Sequence, residues 1–261
     1  MSDLFDLSEL SVHVIVDSTA NSGRFNMAMD EALLELGAGR DFCVCRIYQW
    51  AEPTVSLGYF QASQAEQVSP FPELPTVRRL SGGGAILHDH ELTYSCILPA
   101  SHPVRQDPSQ LYGMVHQAVI RLLNSCGCQS RLRSEFLEQF RQETVLQPSE
   151  VLMPGSEEFL CFLRQNPNDI VETATGNKIV GSAQRRRRGV ILQHGSLLLR
   201  ASALTPAIPG ITELSPGFDE QRFRQDLAGE IAETIGKRVE LRGYTTEELA
   251  VSQGFLQSRE D

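Results

Sequence analysis

The amino-acid sequence predicts an α+β fold, in which helices flank a mixed and largely antiparallel sheet. Short apolar runs with strand character recur along the whole chain, and amphipathic helical patterns separate them. The two kinds of segment do not alternate strictly, which argues against a doubly wound parallel sheet. With 261 residues, 41% of them hydrophobic, the chain is large enough to bury one substantial core.

The first half of the chain combines strand patterns with two helices. The strand patterns cover residues 12–16, 42–48, 54–59 and 92–98. A first helix is expected to begin with Asn26 as its N-cap and to end at Gly37, because apolar residues repeat at helical spacing between residues 29 and 36. A second helix follows the same spacing from residue 111 and stops at Gly127.

The second half begins with a polar, proline-containing stretch at 141–158, which predicts a mobile connection. Residues 170–180 predict a hairpin with glycine in its turn, and residues 189–199 predict a strand pair or one bent strand. Two helices close the chain. The last of them opens at Thr245, with Glu248 in the position that completes a capping box.

Composition excludes several classes of function. The formal net charge is −10, which argues against general binding to nucleic acids or anionic membranes. No stretch approaches the ~20 consecutive apolar residues of a spanning helix, and no basic start precedes an apolar run, so a cytoplasmic protein without a membrane partner is expected. The six cysteines do not predict a disulfide framework, and the two C-x-C pairs have the wrong spacing for a structural zinc site, so no metal is expected. Cys43 and Cys45 are predicted to share one buried strand face.

Lysine usage singles out one residue. Of the 23 lysines and arginines, only Lys178 and Lys237 are lysine, and Lys178 lies in the patterned stretch between residues 176 and 184. An amine can exchange its proton and act as an acid or base, which a guanidinium cannot do. Lys178 is therefore a candidate for chemistry. The alternative, a lysine on the surface, is assigned to Lys237.

A run of three glycines, Gly82 to Gly84, follows Arg78 and Arg79 and precedes His88. Successive glycines allow the backbone to approach a ligand and to turn its N–H groups toward an anion. Arginines beside such a loop add forked donors for phosphate or carboxylate. The pattern is neither a dinucleotide fingerprint nor a P-loop, and an ordinary glycine turn is the alternative to a ligand loop.

Three further features remain open on the residues alone. Cys161 is either a buried thiol or, if an ammonium lies nearby, a thiolate nucleophile for acyl transfer. His194 is either a base or a structural histidine. The four arginines from Arg185 to Arg188 form either a solvated turn or a docking patch for an acidic protein; no aromatic residues interleave with them as nucleic-acid binding would require.

Several motifs, in the same order along the chain, resemble those of the lipoate–protein ligase A and octanoyltransferase family. The first long motif is Arg78-Arg79-x-Ser81-Gly82-Gly83-Gly84-Ala85-x-x-His88-Asp89. The second is Gly176-x-Lys178-Ile179-Val180-Gly181-Ser182-Ala183-Gln184, followed by Gln193-His194-Gly195-Ser196. Earlier blocks around Asp30 and Gly58 also match, so that the resemblance covers residues 12–200.

The resemblance implies a biotin/lipoyl-ligase catalytic domain, an α+β fold related to class II aminoacyl-tRNA synthetases. It implies a flexible N-terminus at 1–10, a catalytic domain at 11–210, and a helical extension at 211–261 packed on the same domain. It also implies that Lys178 contacts the acyl carbonyl, and that an apolar run at 55–60 helps to line an acyl tunnel. The expected acyl- or ligand-binding residues are Arg78, Arg79, Ser81, Gly82, Gly83, Gly84, Ala85, His88, Gly181, Ser182, Ala183, His194 and Gly195.

Two chemistries compete within this family. Cys161, placed 17 residues before Lys178, is similar to the nucleophile position of the monomeric-type octanoyltransferases. On that resemblance, Cys161 and Lys178 are the catalytic pair, no cofactor is needed, and the octanoyl group passes from acyl carrier protein to a lipoyl domain such as the glycine cleavage H protein or a 2-oxoacid dehydrogenase E2 subunit. The alternatives are a lipoate–protein ligase that requires ATP and Mg²⁺, and an amidotransferase that moves the group between two lipoyl domains.

Overall fold

A computed structural model of the protein describes residues 6–61, 69–143 and 160–258. The first elements are β1 (Ser11–Val16), α1 (Gly23–Leu36), β2 (Cys43–Tyr48), β3 (Thr54–Leu57), β4 (Thr76–Arg78), β5 (Ile86–His88), β6 (Glu91–Leu98) and α2 (Gln110–Ser125). The later ones are β7 (Ser130–Leu132), α3 (Arg133–Glu143), β8 (Ile170–Glu172), β9 (Lys178–Arg187), β10 (Val190–Leu198), α4 (Ile211–Leu214), α5 (Glu220–Ile235), β11 (Arg238–Leu241) and α6 (Thr246–Gln257).

Within this described part, eight strands form one sheet in the order β11-β1-β2-β6-β10-β9-β8-β7. β1 pairs in parallel with β11 and β2, and every other neighbouring pair in this sheet is antiparallel. A second, three-stranded sheet has the order β4-β3-β5 and carries the glycine loop between β4 and β5. The predicted α+β fold with a mixed, largely antiparallel sheet is confirmed.

Apolar residues cover both faces of the large sheet, which explains why its central strands are almost continuously buried. Alternate residues of β1, β2, β6 and β10 point into a main core that also contains side chains of α2 and α5. The intervening residues pack against α1 in a second cluster. Cys43 and Cys45 both lie in the main core, as predicted for two residues on one strand face.

The start of α1 differs from the prediction. The helix begins at Gly23, and the hydroxyl of Ser22 caps it by accepting the Phe25 N–H. Asn26 lies inside the helix, where its buried side chain donates to the Gln49 carbonyl and accepts from Arg46. The N-cap prediction for Asn26 was therefore wrong, because Ser22 supplies the same capping chemistry one turn earlier. Gly37 follows the last residue of the helix, as predicted.

The C-terminal half confirms some predictions and corrects others. The hairpin is β8–β9, the predicted pair or bent strand at 189–199 is the single strand β10, and Thr245 and Glu248 form the expected capping box. α3 extends to Glu143 and therefore includes the first three residues of the polar connection predicted at 141–158. The rest of that connection, 144–158, lies outside the described residues, and so do residues 1–5 of the predicted N-terminal tail. β4, β5, β7, α3, α4 and β11 were not predicted. None of the helices in the described ranges is long and apolar enough to cross a lipid bilayer.

Candidate active site

Lys178 opens β9 and is nearly buried, with 9% of its surface exposed. Its ammonium lies 3.1 Å from Oδ2 of Asp169, 3.2 Å from the carbonyl oxygen of Cys161 and 3.8 Å from the sulfur of Cys161. The Phe162 ring also lies near it, with its centroid 5.3 Å from Nζ. Each of the three ammonium protons thus has one acceptor, and the thiol is the weakest of the three.

Local backbone structure brings Cys161 and Lys178 together. Asp169 immediately precedes β8, and Lys178 starts the partner strand of the same hairpin. Cys161 lies in a turn that is tied to the glycine loop, because its N–H donates to the Ala85 carbonyl at 2.6 Å. Gly181 completes the fit: a Cβ at that position would lie 2.6 Å from Cε of Lys178.

The Lys178–Asp169 pair lies in a desolvated position. Burial raises the pKa of Asp169 above its ordinary value, and the charge of Lys178 opposes that rise without cancelling it. A buried carboxylate of this kind is kept in place by its ammonium partner and by the Asn166 N–H, which donates to it at 2.7 Å. Asp169 was not predicted from the sequence.

The glycine loop is organised around Arg79. This guanidinium is buried and donates to the carbonyls of Ser56, Gly82 and Gly84 at 2.6, 3.2 and 2.8 Å. Burial lowers the pKa of Arg79 to about 10. Arg78 donates to two carbonyls of the preceding loop instead. The backbone of the glycine loop therefore receives its guanidinium hydrogen bonds from Arg79, and Gly83 adopts a φ of +97° that favours glycine.

Three histidines surround the site, and each is bonded to a serine hydroxyl. His88 bonds Ser56 through Nε2 and Glu91 through Nδ1, and the Trp50 ring stacks on it at 3.7 Å. His194 bonds Ser81 through Nε2, and its Nδ1 donates to Asp30 at 3.4 Å. These arrangements hold both imidazoles in one orientation. Burial lowers the pKa of His88.

His116 forms the third pair and was not predicted. It lies on α2 and bonds the Asn168 carbonyl through Nδ1 and the Ser182 hydroxyl through Nε2. Burial lowers the pKa of His116 to about 4, so the ring is neutral at pH 7. With Nδ1 donating to the carbonyl, Nε2 accepts the Ser182 proton, which leaves the lone pairs of Ser182 for the pocket. His116 is a single histidine on an amphipathic helix, and no sequence motif around it indicates a functional residue.

Arg46 anchors the floor of the site. This fully buried guanidinium donates to Asp30 at 3.0 Å, to Asp17 at 2.8 Å and to the Tyr244 hydroxyl at 2.5 Å. Burial alone would lower the pKa of Arg46, but Tyr244 and the two carboxylates hold it above its ordinary value. Burial likewise tends to raise the pKa of Asp30, but the His194 hydrogen bond and Arg46 hold it below its ordinary value. A continuous chain of hydrogen bonds thus joins Tyr244 to His194.

A pocket lies between the glycine loop and strands β9 and β10. The predicted residues that line it are Arg79, Gly82, Gly83, His88, Cys161, Lys178, Gly181, Ser182, Ala183, His194 and Gly195. The register of β9 on β10 pairs Ala183 with His194 and Ser182 with Gly195, which explains why these segments meet. The lining residues missed from the sequence are Met27, Tyr48, Trp50, Ile86, Phe162, Thr93 and Ser196. They include the apolar and aromatic floor.

Four predicted residues do not line the pocket. Arg78 faces the preceding loop. The other three residues contact groups that line the pocket: the Ser81 hydroxyl bonds His194, the Gly84 carbonyl accepts from Arg79, and the Ala85 carbonyl accepts from the Cys161 N–H. The apolar run at 55–60 does not line it either; Val55 and Leu57 are buried in a separate small cluster. Strand β3 turns these side chains away from the pocket, so their expected place in a tunnel wall was wrong.

The arginine run divides into different environments along β9. The guanidinium of Arg185 lies over the Tyr59 ring at 4.5 Å. Arg187 lies 3.2 Å from a carboxylate oxygen of Glu31, and Arg188 pairs with Glu35. Arg186 is exposed. A uniform docking patch is therefore not present, since Arg187 and Arg188 are neutralised by acids of α1.

Comparison with known proteins gives close relatives. The profile of the lipoyl protein ligase A/B catalytic domain matches residues 22–211. Octanoyltransferase LipM of Staphylococcus aureus strain NCTC 8325 is 38% identical over 179 residues, 67% of this chain and 61% of that protein. Octanoyltransferase LipM of Anoxybacillus flavithermus is 36% identical over 196 residues, 73% of this chain and 66% of that protein. The chain therefore spans 61–66% of the length of these two relatives.

Another relative matches over nearly its whole length: octanoyltransferase LipM of Kyrpidia tusciae is 32% identical over 264 residues, 90% of this chain and 91% of that protein. Among solved structures, lipoate-protein ligase A bound with ATP superimposes with a TM-score of 0.65 at 20% identity, covering 95% of each chain. The bi-partite lipoate protein ligase of Thermoplasma acidophilum gives 0.67 at 19% identity, covering 96% of this chain and 92% of that one.

At such identities the solved structures establish the fold, and they confirm the predicted lipoate-ligase architecture. The profile match covers most of the chain and includes both the glycine loop and the lysine strand. The resemblance predicted from the two motifs is confirmed. The chain belongs to the lipoyl protein ligase A/B catalytic domain family.

Proposed function

We propose that this protein is an acyltransferase of protein lipoylation, which moves an octanoyl group from acyl carrier protein through a thioester on Cys161 to a lysine of a lipoyl domain. The observation that carries the proposal is the 3.8 Å separation between Sγ of Cys161 and Nζ of Lys178 at the edge of a pocket with an apolar floor. The names of the LipM relatives support the same activity.

In the first step, the Cys161 sulfur attacks the carbonyl carbon of the donor thioester. The new C–S bond forms first and leaves an oxyanion on the former carbonyl; the donor C–S bond then breaks, and the proton of the Cys161 thiol leaves with the donor sulfur. The ammonium of Lys178, which lies 3.8 Å from the Cys161 sulfur, donates a hydrogen bond to the oxyanion, which is worth about 3 kcal/mol for one well-placed donor.

In the second step, the unprotonated amine of the acceptor lysine attacks the same carbon. A C–N bond forms, the bond to Cys161 breaks, and the cysteine sulfur takes up one proton while the nitrogen loses one. The octanoyl tail lies against Trp50, Tyr48 and Met27 throughout, and burial stabilises it by about 0.8 kcal/mol per methylene. This scheme uses no cofactor.

The expected partners are octanoyl acyl carrier protein as donor and the lipoyl domains of the glycine cleavage H protein or a 2-oxoacid dehydrogenase E2 subunit as acceptors. A related ligase is known together with its E2 lipoyl domain, which supports an acceptor of this kind. The pocket residues named above, from the glycine loop and from β9 and β10, would bind the acyl group.

Intact-mass spectrometry tests the thioester. The full-length protein incubated with octanoyl carrier protein should gain one octanoyl group, and Cys161→Ser should gain none and lose transfer. Cys126→Ser, which changes a buried cysteine outside the pocket, is the matched control and should still be acylated. Transfer by Cys161→Ser at the wild-type rate would exclude the thioester.

The same assay separates the alternatives. A ligase would require ATP and Mg²⁺ with free lipoate and would tolerate Cys161→Ser. An amidotransferase would accept the octanoyl group from an octanoylated lipoyl domain but not from carrier protein. Either result would replace the proposed donor.

A further inference from the structure

We propose that Tyr59, Phe60 and Arg185 form a docking rim for the acidic protein that carries the acyl donor. The rim rests on the proposed function, because it is defined by delivery of a thioester to Cys161. It would contact the carrier protein with its aromatic rings and would bind the anionic phosphodiester of the carrier's acyl-bearing arm with Arg185.

The rim is unusually apolar for an exposed surface. Phe60 is 81% exposed and Tyr59 is 43% exposed, and their rings meet edge to face with centroids 5.1 Å apart. An exposed aromatic pair costs solvation unless a partner covers it. Aromatic side chains and arginine are also the residues that most often dominate the affinity of protein interfaces.

The loop that carries the aromatic pair is held in place. The Tyr59 N–H donates to the Ser81 carbonyl at 2.8 Å, and the Gly58 N–H donates to Oε1 of Gln61 at 2.8 Å. Arg78 donates to the carbonyls of Gly58 and Gln61 at 3.0 and 2.7 Å. Because the loop is already ordered, binding of a partner to the two rings would cost little conformational entropy.

The rim lies where the pocket reaches the surface. Gly83 lines the pocket and is exposed, and a Cβ on the neighbouring Gly82 would lie 3.6 Å from the Phe60 ring. Ala183 also lines the pocket, and Arg185 follows it by two residues on the same face of β9. A protein covering the rim would stand over the entrance to Cys161.

The charge of the rim favours the protein that carries the acyl donor over the lipoyl domain that accepts the acyl group. The chain has a formal charge of −10, so an acidic partner needs a local cation. Within the described ranges Arg185 has no carboxylate partner, and its Nε is buried without a hydrogen bond, whereas Arg187 and Arg188 are paired with acids of α1. A phosphodiester complements this cation. An acceptor that inserts a lysine would be repelled by it.

Two donors and four variants test the proposal. Acylation of Cys161 is measured with octanoyl carrier protein and with octanoyl-pantetheine, a small thioester that has neither protein nor phosphate. We expect Phe60→Ala and Arg185→Gln each to raise KM for the carrier protein about tenfold and to leave the rate with octanoyl-pantetheine unchanged. The controls are Leu241→Ala, an exposed apolar residue on the edge strand β11, and Arg186→Gln, on the opposite face of β9; both should behave as wild type.

Three results would overturn the rim. Equal losses with both donors would mean that the residues act on the pocket. No change with either donor would mean that nothing docks there. A rise in KM only for the lipoyl domain would assign the surface to the acceptor. If the wild-type protein takes no octanoyl group from either donor, the proposed function fails and the rim fails with it. If the wild-type protein is acylated by both donors, but Phe60→Ala and Arg185→Gln affect the two donors equally, the rim alone is rejected.

Discussion

At the scale of single residues, the role proposed for Lys178 depends on its neighbours as much as on the chemistry of an amine. Asp169 and the Cys161 carbonyl accept hydrogen bonds from two of its N–H groups, so that the third N–H points toward the thiol. A lysine has four rotatable bonds, and without these acceptors the amine would sample many positions. The motif located the lysine, but only the folded hairpin shows what orients it.

This positioning role predicts the effect of Asp169→Asn. The buried ammonium loses its counter-charge and its orientation, so we expect the rate of Cys161 acylation to fall at least about tenfold. Breaking the buried pair should also cost about 3 kcal/mol of unfolding free energy. Single-turnover acylation and urea denaturation measure the two effects.

Asp226→Asn is the control for that variant, because Asp226 is an exposed carboxylate paired with Arg222 on α5 and should contribute less than about 0.5 kcal/mol. Asp169→Glu keeps the charge and should recover part of the acylation rate. Wild-type acylation by Asp169→Asn would show that Lys178 needs no carboxylate to hold it.

Sequence reasoning found the residues that stand in glycine-rich motifs and missed those that support them. Lys178, His194 and the glycine loop carry local patterns, because close backbone approach requires glycine at fixed spacing. Asp169 and His116 come from a strand end and a helix face without such a pattern. Ser182, the partner of His116, is distant in sequence, and nothing in the residues around Asp169 marks it as the partner of Lys178, so only the folded structure reveals both contacts.

At the scale of elements, α6 is fixed to the rest of the fold by Glu248. This carboxylate accepts hydrogen bonds from Arg40 at 2.6 Å and from Arg242 at 2.8 Å, and it also completes the capping box with Thr245. Burial alone would raise the pKa of Glu248, but hydrogen bonds from Arg242, Thr245 and Arg40 lower it to about 2 from its ordinary 4.5. The folded state therefore strongly prefers the carboxylate.

The consequence is a defined pH window for Glu248→Gln. A pKa that is lower in the folded state stabilises the fold above pH 4.5, and this contribution disappears as the pH falls toward 2. We expect Glu248→Gln to cost about 2 kcal/mol at pH 7 and almost nothing near pH 2, measured by urea denaturation at both values. The neighbouring exposed Glu247→Gln is the control. An equal cost at both pH values would contradict the assignment.

The short and edge strands that sequence reasoning missed share a physical cause. β5 and β7 have three residues each, too few for a periodic pattern, and every residue of β11 is exposed at the edge of the sheet. Such strands form because a neighbour offers unpaired backbone groups, not because of their own residues. The long, amphipathic α2 and the hairpin β8–β9 carry their own signals and were predicted.

At the scale of the whole molecule, burial separates one cysteine from the other five. Cys161 is half-buried, whereas Cys43, Cys45, Cys96, Cys126 and Cys128 are buried. Burial raises the pKa of Cys43 to about 12 and that of Cys96 well above its ordinary value. Thiols in such surroundings are inert toward alkylating reagents.

A disulfide reagent such as Ellman's should therefore modify one thiol quickly in the native protein and all six after unfolding. Native Cys161→Ser should show no fast reaction. Because the measurement needs no substrate, it examines the fold and the exposure of Cys161 independently of transfer activity. Two rapidly reacting thiols in the native state would contradict the distribution described here.

The hydrogen-bonded chain through Arg46 extends the candidate site beyond the residues that line the pocket. Tyr244 lies after the stretch that the family profile matches, yet it is linked through Arg46 and Asp30 to the imidazole on the pocket wall. A protease cut between β11 and α6 would thus not merely shorten the tail. It would weaken the contact between Tyr244 and Arg46, and the disturbance would be transmitted through Asp30 and His194 to the wall of the pocket.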